Sequence, residues 1–136
     1  MSIKFIKSYN KNTPSWETCL ENFDNSVLDN DLIKHNCLGY FVSHRAHTIN
    51  QVRLVLEDLR LASAHLYMNI TAHGGSNGNH FDQDDVYFWQ AQGRTRWQFD
   101  SGYEYLLEPG DLIFVPAGVY HNVIPLGPRI GISMSL

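Results

Sequence analysis

The sequence predicts a mainly β protein, a small antiparallel barrel or sandwich with helices packed outside it. Two patterns and one bulk property carry this expectation. After Arg60, short apolar runs follow one another closely, punctuated by glycine and proline, as in all-β folds. Before it, apolar residues recur at helical spacing. With 136 residues, 43% hydrophobic and 12% aromatic content, the chain has the size and the apolar material for one compact core, and no linker or repeat divides it. We therefore expect a single domain over residues 1–136, with a helical and loop-rich part (1–62) followed by a strand-rich part (63–136).

The elements follow from local signals. In "NTPSWETCLENF" Thr13 can cap a helix with Pro14 at its first position, and Trp16, Leu20 and Phe23 form its apolar stripe. "LGYFVS" (38–43) reads as a strand. In "AHTINQVRLVLEDLR" Thr48 and Gln51 have capping-box spacing, and Val52, Val55, Leu56 and Leu59 share one face that must cover something, most simply the outside of a sheet. "HLYMNIT" (65–71) alternates Leu66, Met68 and Ile70 against Tyr67, Asn69 and Thr71. The glycine-rich loop "AHGGSNGN" separates it from "HFDQDDVYFWQAQ", on whose outward face Tyr87 and Trp89 are expected to pack under the second helix. Gly93 then turns the chain into "RTRWQF", with Thr95, Trp97 and Phe99 on its less polar face. "EPGDLIFVPAG" holds a short apolar strand between two turns, with Asp111 read as a turn residue, and "VYHNVI" and "RIGISMS" are two strands joined by "PLGP".

Charge and composition exclude several classes. A net charge of −4 with dispersed Lys and Arg gives no electrostatic footprint for nucleic acid or an anionic membrane surface. No apolar stretch approaches the roughly 20 residues that span a bilayer, and the first residues resemble no secretory leader, so a cytoplasmic location is expected. Cys19 and Cys37 have no metal-binding spacing and are read as buried free thiols.

The chemistry concentrates at "HFDQDD". On a strand, residues i and i+2 project from one face, so His80 and Asp82 would point together into the barrel, and His121 of "PAGVYHNV" could supply a third ligand from across it. Two histidines and one carboxylate on one side of a divalent ion form the facial triad of non-haem Fe(II) oxygenases. By itself the spacing is weak, and a loop-edge histidine is the plainer account of His80. Asp84 shares the His80 face and could orient a ligand, whereas Asp85 reads as a surface residue; His73, in the glycine loop, is either an exposed loop residue or a substrate-side acid or base. His35, His44, His47 and His65 show no ligand spacing among themselves.

The surroundings give the triad its weight. Gly74, five residues, His80, one residue, Asp82 and later Gly93 form one block; Gly110, five residues, Pro116-Ala117-Gly118, two residues and His121 form another. Together they resemble the paired motifs of the cupin superfamily, with Pro125 in place of the usual terminal asparagine, Asp82 where many members have a second histidine, and no counterpart of their glutamate. "HFDQDDVYFWQAQGRTRWQF" followed by "LEPGDLIFVPAGVYHNV" is similar to the Jumonji-C and ribosomal-oxygenase branch, over residues 67 to 124 and not over the first 60.

The resemblance implies a cupin-type double-stranded β-helix, or jelly-roll barrel, with flanking N-terminal helices. It implies Fe(II), or another divalent metal, held by His80, Asp82 and His121, and 2-oxoglutarate as co-substrate near Tyr67, Asn69 and Thr95. The activity it implies is hydroxylation of a protein side chain or small molecule, and barrels of this superfamily often pair as homodimers. One departure stands out: Thr95 occupies the position where the branch usually has a Lys or Arg for the distal carboxylate, and a hydroxyl is a far weaker partner for an anion. Arg129 opens a strand from which other oxygenases supply such an arginine; with Ile130, Ile132 and Met134 as the inward set, alternation turns it outward unless a bulge intervenes. A metal-dependent cupin of another chemistry, such as an isomerase or a keto-acid-independent dioxygenase, and a non-catalytic metal or small-molecule binder remain the alternatives.

Overall fold

A computed structural model describes residues 2–28, 32–34, 39–72 and 77–136. The expectations for His35, Cys37, His73 and Gly74 lie outside the described residues. The chain runs β1 (Lys4–Ile6), α1 (Trp16–Leu28), β2 (Leu32–Lys34), β3 (Tyr40–Ser43), a 3₁₀ turn (Ala46–Thr48), α2 (Asn50–Leu59), β4 (Ser63–Asn69), β5 (Val86–Gln92), β6 (Thr95–Phe99), β7 (Glu104–Leu107), β8 (Leu112–Val115), β9 (His121–Pro125) and β10 (Arg129–Ser135). Seven strands form one sheet in the order β1-β8-β5-β10-β4-β3-β2, and β7-β6-β9 form a second. Every ladder is antiparallel. The mainly β jelly roll with flanking helices is the expected architecture. Among the described residues no helix is long and apolar enough to cross a membrane.

The large sheet is apolar on both faces and so has two cores. On one face Val52, Val55 and Leu56 of α2 and Cys19 and Phe23 of α1 cluster with Leu66, Met68, Trp89, Leu112, Ile130, Ile132 and Met134. On the other, Phe88, Ile113 and Val115 meet Trp97, Phe99 and Leu107 of the small sheet. Trp89 is fully buried and its indole N–H donates to the Asn10 carbonyl, tying the N-terminal segment over the helix-side core. Cys19 is a buried free thiol there, its pKa pushed up to about 12 by burial.

Both helix starts differ from expectation. Ser15, not Thr13, caps α1: its hydroxyl accepts the Thr18 N–H at 3.1 Å, while the Pro14 carbonyl is held outside the helix by Gln92 Nε2. The buried face is Cys19, Asn22, Phe23 and Ser26, and Leu20 is exposed. Asn22 explains the shift. Its amide donates to the Arg45 carbonyl and to Thr48 Oγ1, and its Oδ1 accepts from Ser43, so a polar side chain docks α1 on the 3₁₀ turn. Thr48 is consumed in that network, donating to the Arg45 carbonyl as well, and α2 begins at Asn50 without a side-chain cap. At its other end Arg60 takes the left-handed conformation (φ 57°) and the Leu61 N–H closes onto the Leu56 carbonyl, a helix-terminating turn.

Two further corrections concern single residues. Ile70 falls beyond β4 and is half exposed, so the strand's helix-side set is Ala64, Leu66 and Met68. Asp111 is buried, not a surface turn residue: its carboxylate accepts the Ser8 and Glu108 N–H groups and meets Lys7 at 3.1 Å, fastening β1's exit to the β7–β8 turn.

Candidate metal centre and its cleft

His80 and Asp82 do not lie on a strand, contrary to the sequence expectation. His80 makes an isolated bridge to His121, donating to and accepting from its backbone at 3.0 and 2.8 Å, and residues 81–85 are irregular until β5 begins at Val86. The convergence is therefore set by cross-connections. The Gly118 N–H donates to the Asp82 carbonyl and the Ala117 N–H to Asp85 Oδ1, both at 2.9 Å, so the Pro116–Gly118 turn clasps the segment that carries the carboxylate. Asp85, expected to be a bystander, is the residue that orients this loop; Asp84 is exposed.

The three side chains nonetheless meet. His121 Nε2 is 3.4 Å and His80 Nε2 3.9 Å from the Asp82 carboxylate, and the ligand atoms all lie within 4.8 Å of one another. Each ring is oriented from behind. His80 Nδ1 donates to the Gly78 carbonyl and His121 Nδ1 to the Val119 carbonyl, which places the proton on Nδ1 and leaves both Nε2 lone pairs facing the carboxylate. His121 is 3% exposed and stacks on Trp97 at 5.3 Å. Burial lowers its pKa below the usual histidine value, opposed by the bond to Val119, so the ring is neutral near pH 7. Two imidazole nitrogens and a carboxylate are a donor set that fits Fe(II) and its divalent neighbours.

A cleft of about 480 Å³, counted to its open mouth, begins at this triad and runs between the sheets past Tyr67, Phe88 and Trp97 to Arg129. Arg129 is the residue that strand parity misplaced. It is 2% exposed and faces the cleft, because Ile130, Ile132 and Met134 face the helix-side core and not the barrel. The strand does shift register against β5 between Ile130 and Gly131, but two buried faces suffice to explain the error. Arg129 Nε donates to Asn69 Oδ1 at 2.7 Å, its guanidinium carbon lies 5.9 Å from the centre of the Tyr40 ring, and Nη1 has no hydrogen-bond partner among the described residues. Desolvation is the main influence on this guanidinium, lowering its pKa.

The other expected co-substrate residues divide. Tyr67 lines the cleft; burial raises its phenol pKa, Asp82 raises it further and Arg129 lowers it, which places the hydroxyl within electrostatic reach of both ends. Asn69 stands behind Arg129 and positions it. Thr95 is not among the residues that line the cleft. Its hydroxyl donates to Gln90 Oε1 at 2.9 Å and accepts from Trp97 Nε1 at 3.2 Å, an internal network under the small sheet.

Comparison with known proteins agrees with this fold. The profile of the cupin domain matches residues 66–130. That match takes in 65 of the 136 residues, just under half of the chain. The chain is similar to the ribosomal protein uL16 3-hydroxylase of Escherichia coli (strain K12), at 30% identity over 42% of this chain and 21% of that one. The ribosomal oxygenase YcfD from Escherichia coli, solved with cobalt and 2-oxoglutarate, superimposes with a TM-score of 0.79 at 19% identity, covering 98% of this chain and 47% of that one. A cupin superfamily protein from Desulfitobacterium hafniense DCB-2 gives 0.56 at 18% identity, over 76% and 83%. At these identities the structural likeness shows the fold, and the chain spans less than half the length of YcfD and about a fifth of the hydroxylase.

Proposed function

We propose that this cupin domain is an Fe(II)- and 2-oxoglutarate-dependent oxygenase that hydroxylates a small molecule or a protein side chain. The observation that carries the reading is the pairing, in one cleft, of a His-Asp-His donor set at the mouth with a buried arginine whose Nη1 has no partner among the described residues. A dicarboxylic keto-acid has complementary ends: one can chelate a divalent ion and the other presents a carboxylate to a guanidinium. YcfD, the structural neighbour, has been solved with cobalt and 2-oxoglutarate, which supports the same co-substrate class here.

Fe(II) held by His80, Asp82 and His121 would supply dioxygen activation coupled to conversion of 2-oxoglutarate into succinate and carbon dioxide. The chain's own part is binding and aim. Gly78 and Val119 hold the imidazole tautomers, the Pro116–Gly118 clasp fixes the carboxylate, and Arg129, seated by Asn69, receives the distal carboxylate. Tyr67 presents a protonated hydroxyl between the two ends, and Phe88 and Trp97 give the walls an apolar surface that limits water.

The test is succinate formation from 2-oxoglutarate by metal-stripped protein reloaded with Fe(II), together with 2-oxoglutarate binding in the presence of a redox-inert ion. Binding and Fe(II)-dependent turnover are expected. Metal uptake without any affinity for 2-oxoglutarate would move the chain to the metal-dependent cupins of other chemistry.

A further inference from the structure

A second pair of histidines meets outside the cleft. His65 alternates with Tyr67 along β4, so both project from the barrel face of the large sheet, and its ladder partner on β10 is Ser133. His44, one residue past the end of β3, reaches the same spot. The two Nδ1 atoms are 2.6 Å apart, with the rings perpendicular and their centroids 4.6 Å apart. Both side chains are half-buried. Among the described residues neither ring forms an ion pair with a carboxylate, and the other polar contact is a long one, 3.5 Å, between His65 Nε2 and Ser63 Oγ. His47, in the 3₁₀ turn next to His44, is near enough to influence His65 electrostatically.

Two imidazoles in this arrangement aim nitrogen atoms at a single point. With no metal, one Nδ1 must carry a proton that the other accepts. A cation can replace that proton, provided both rings adopt the Nε2–H tautomer and separate. Tetrahedral zinc with metal–nitrogen bonds of about 2.0–2.1 Å spans roughly 3.4 Å between ligand nitrogens. Since His44 lies outside the β3–β4 ladder, whose register ends at Ser43, it can move outward without breaking a strand hydrogen bond.

We propose that His44 and His65 are the protein ligands of a second metal site, distinct from the triad, for a borderline divalent ion such as Zn²⁺, with water at the remaining positions. Imidazole nitrogen selects this class of ion over Mg²⁺ or Ca²⁺, which take oxygen ligands. Neither ring lines the cleft, so the two sites load independently.

The experiment is calorimetric titration of Zn²⁺ into metal-stripped full-length chain at pH 7.5. Two equivalents are expected for the parent, one for Asp82→Ala, one for the His44→Ala/His65→Ala double variant, and none when all three changes are combined. Because His65 sits within β4, His44→Ala alone is the companion variant; it should lose the second equivalent with an unchanged melting temperature. If the triad were not a metal site, the parent would bind one equivalent and His44→Ala would remove it. The proposal is overturned if Asp82→Ala takes up no Zn²⁺, or if His44→Ala and the double variant bind as much as the parent.

Discussion

Arg129→Met separates a ligand-binding arginine from a structural one, because the two roles give opposite signs. The guanidinium is buried, donates to Asn69 and lies against Tyr40, and among the described residues its Nη1 has no partner. In the ligand-free protein this is an unfavourable place for a charge, since desolvation is only partly offset by the bond to Asn69 and by the facing Tyr40. Methionine removes that burden and fills similar space, at the cost of the bond to Asn69 Oδ1, about 1.5–3 kcal/mol for a bond from a charged group. The two changes nearly cancel, so the ligand-free melting temperature should move by no more than a few degrees in either direction. With 2-oxoglutarate bound, the variant leaves a carboxylate buried without its partner. Removing one member of such a pair costs about 2–5 kcal/mol, which is roughly 30- to 5,000-fold in affinity at 1.36 kcal/mol per decade. The assay is calorimetric titration of 2-oxoglutarate in the presence of Zn²⁺, paired with thermal melts with and without ligand. A variant that binds 2-oxoglutarate like the parent would refute the assignment of the distal carboxylate to Arg129. One that unfolds outright without ligand would show that the guanidinium is structural.

Three other outcomes follow from the same geometry. His80→Ala and Asp82→Ala should abolish metal binding at the triad while shifting the melting temperature little, since both side chains are partly exposed and neither belongs to a core cluster; metal analysis and circular dichroism check this. Thr95→Val should destabilise the fold by about 1–3 kcal/mol, by leaving Gln90 Oε1 and Trp97 Nε1 unsatisfied, and leave 2-oxoglutarate affinity unchanged, as denaturant melts and the same titration would show. Acid should destabilise the metal-free protein. His121 and His65 have folded pKa values lowered, chiefly by burial, below the ordinary value near 6.5, so below that pH the unfolded chain binds more protons. Their neutral-state stability is complete above the unfolded pKa and declines as pH falls through it toward the folded values. A melting temperature that rises between pH 7.5 and 5.5 would contradict this.

How much of this was legible in the sequence depends on how many faces each element buries. α2 has one buried stripe, and Val52, Val55 and Leu56 read correctly because every apolar repeat along it means the same thing. β6 was equally clear, with Thr95, Trp97 and Phe99 buried and Arg96 exposed. The helix starts were not, because hydroxyls at Thr13, Ser15 and Thr48 are interchangeable as local caps. The choice among them was made by distant groups: Asn22 engages Thr48, and Gln92 holds Pro14 outside the helix. Long-range polar contacts of this kind leave no periodic trace.

The site shows the same division between what spacing encodes and what packing decides. His80, Asp82 and His121 were found together through motif resemblance, yet the stated reason, two teeth on one strand, was wrong: they converge through an isolated bridge and a clasping turn. Arg129 was lost through a correct period applied to the wrong core. In a sheet covered on one side only, the apolar set marks the interior and its alternates face water. β10 is central and buried on both faces, so Ile130, Ile132 and Met134 serve the helices, while Arg129, Gly131 and Ser133 face the barrel. Gly131 bears the trace of that inner face, since a Cβ there would lie 2.0 Å from the Phe88 ring. A central strand that devotes its apolar side chains to the helix side and keeps arginine, glycine and serine for the other has given up apolar packing along the cleft, and that exchange leaves room for a polar ligand.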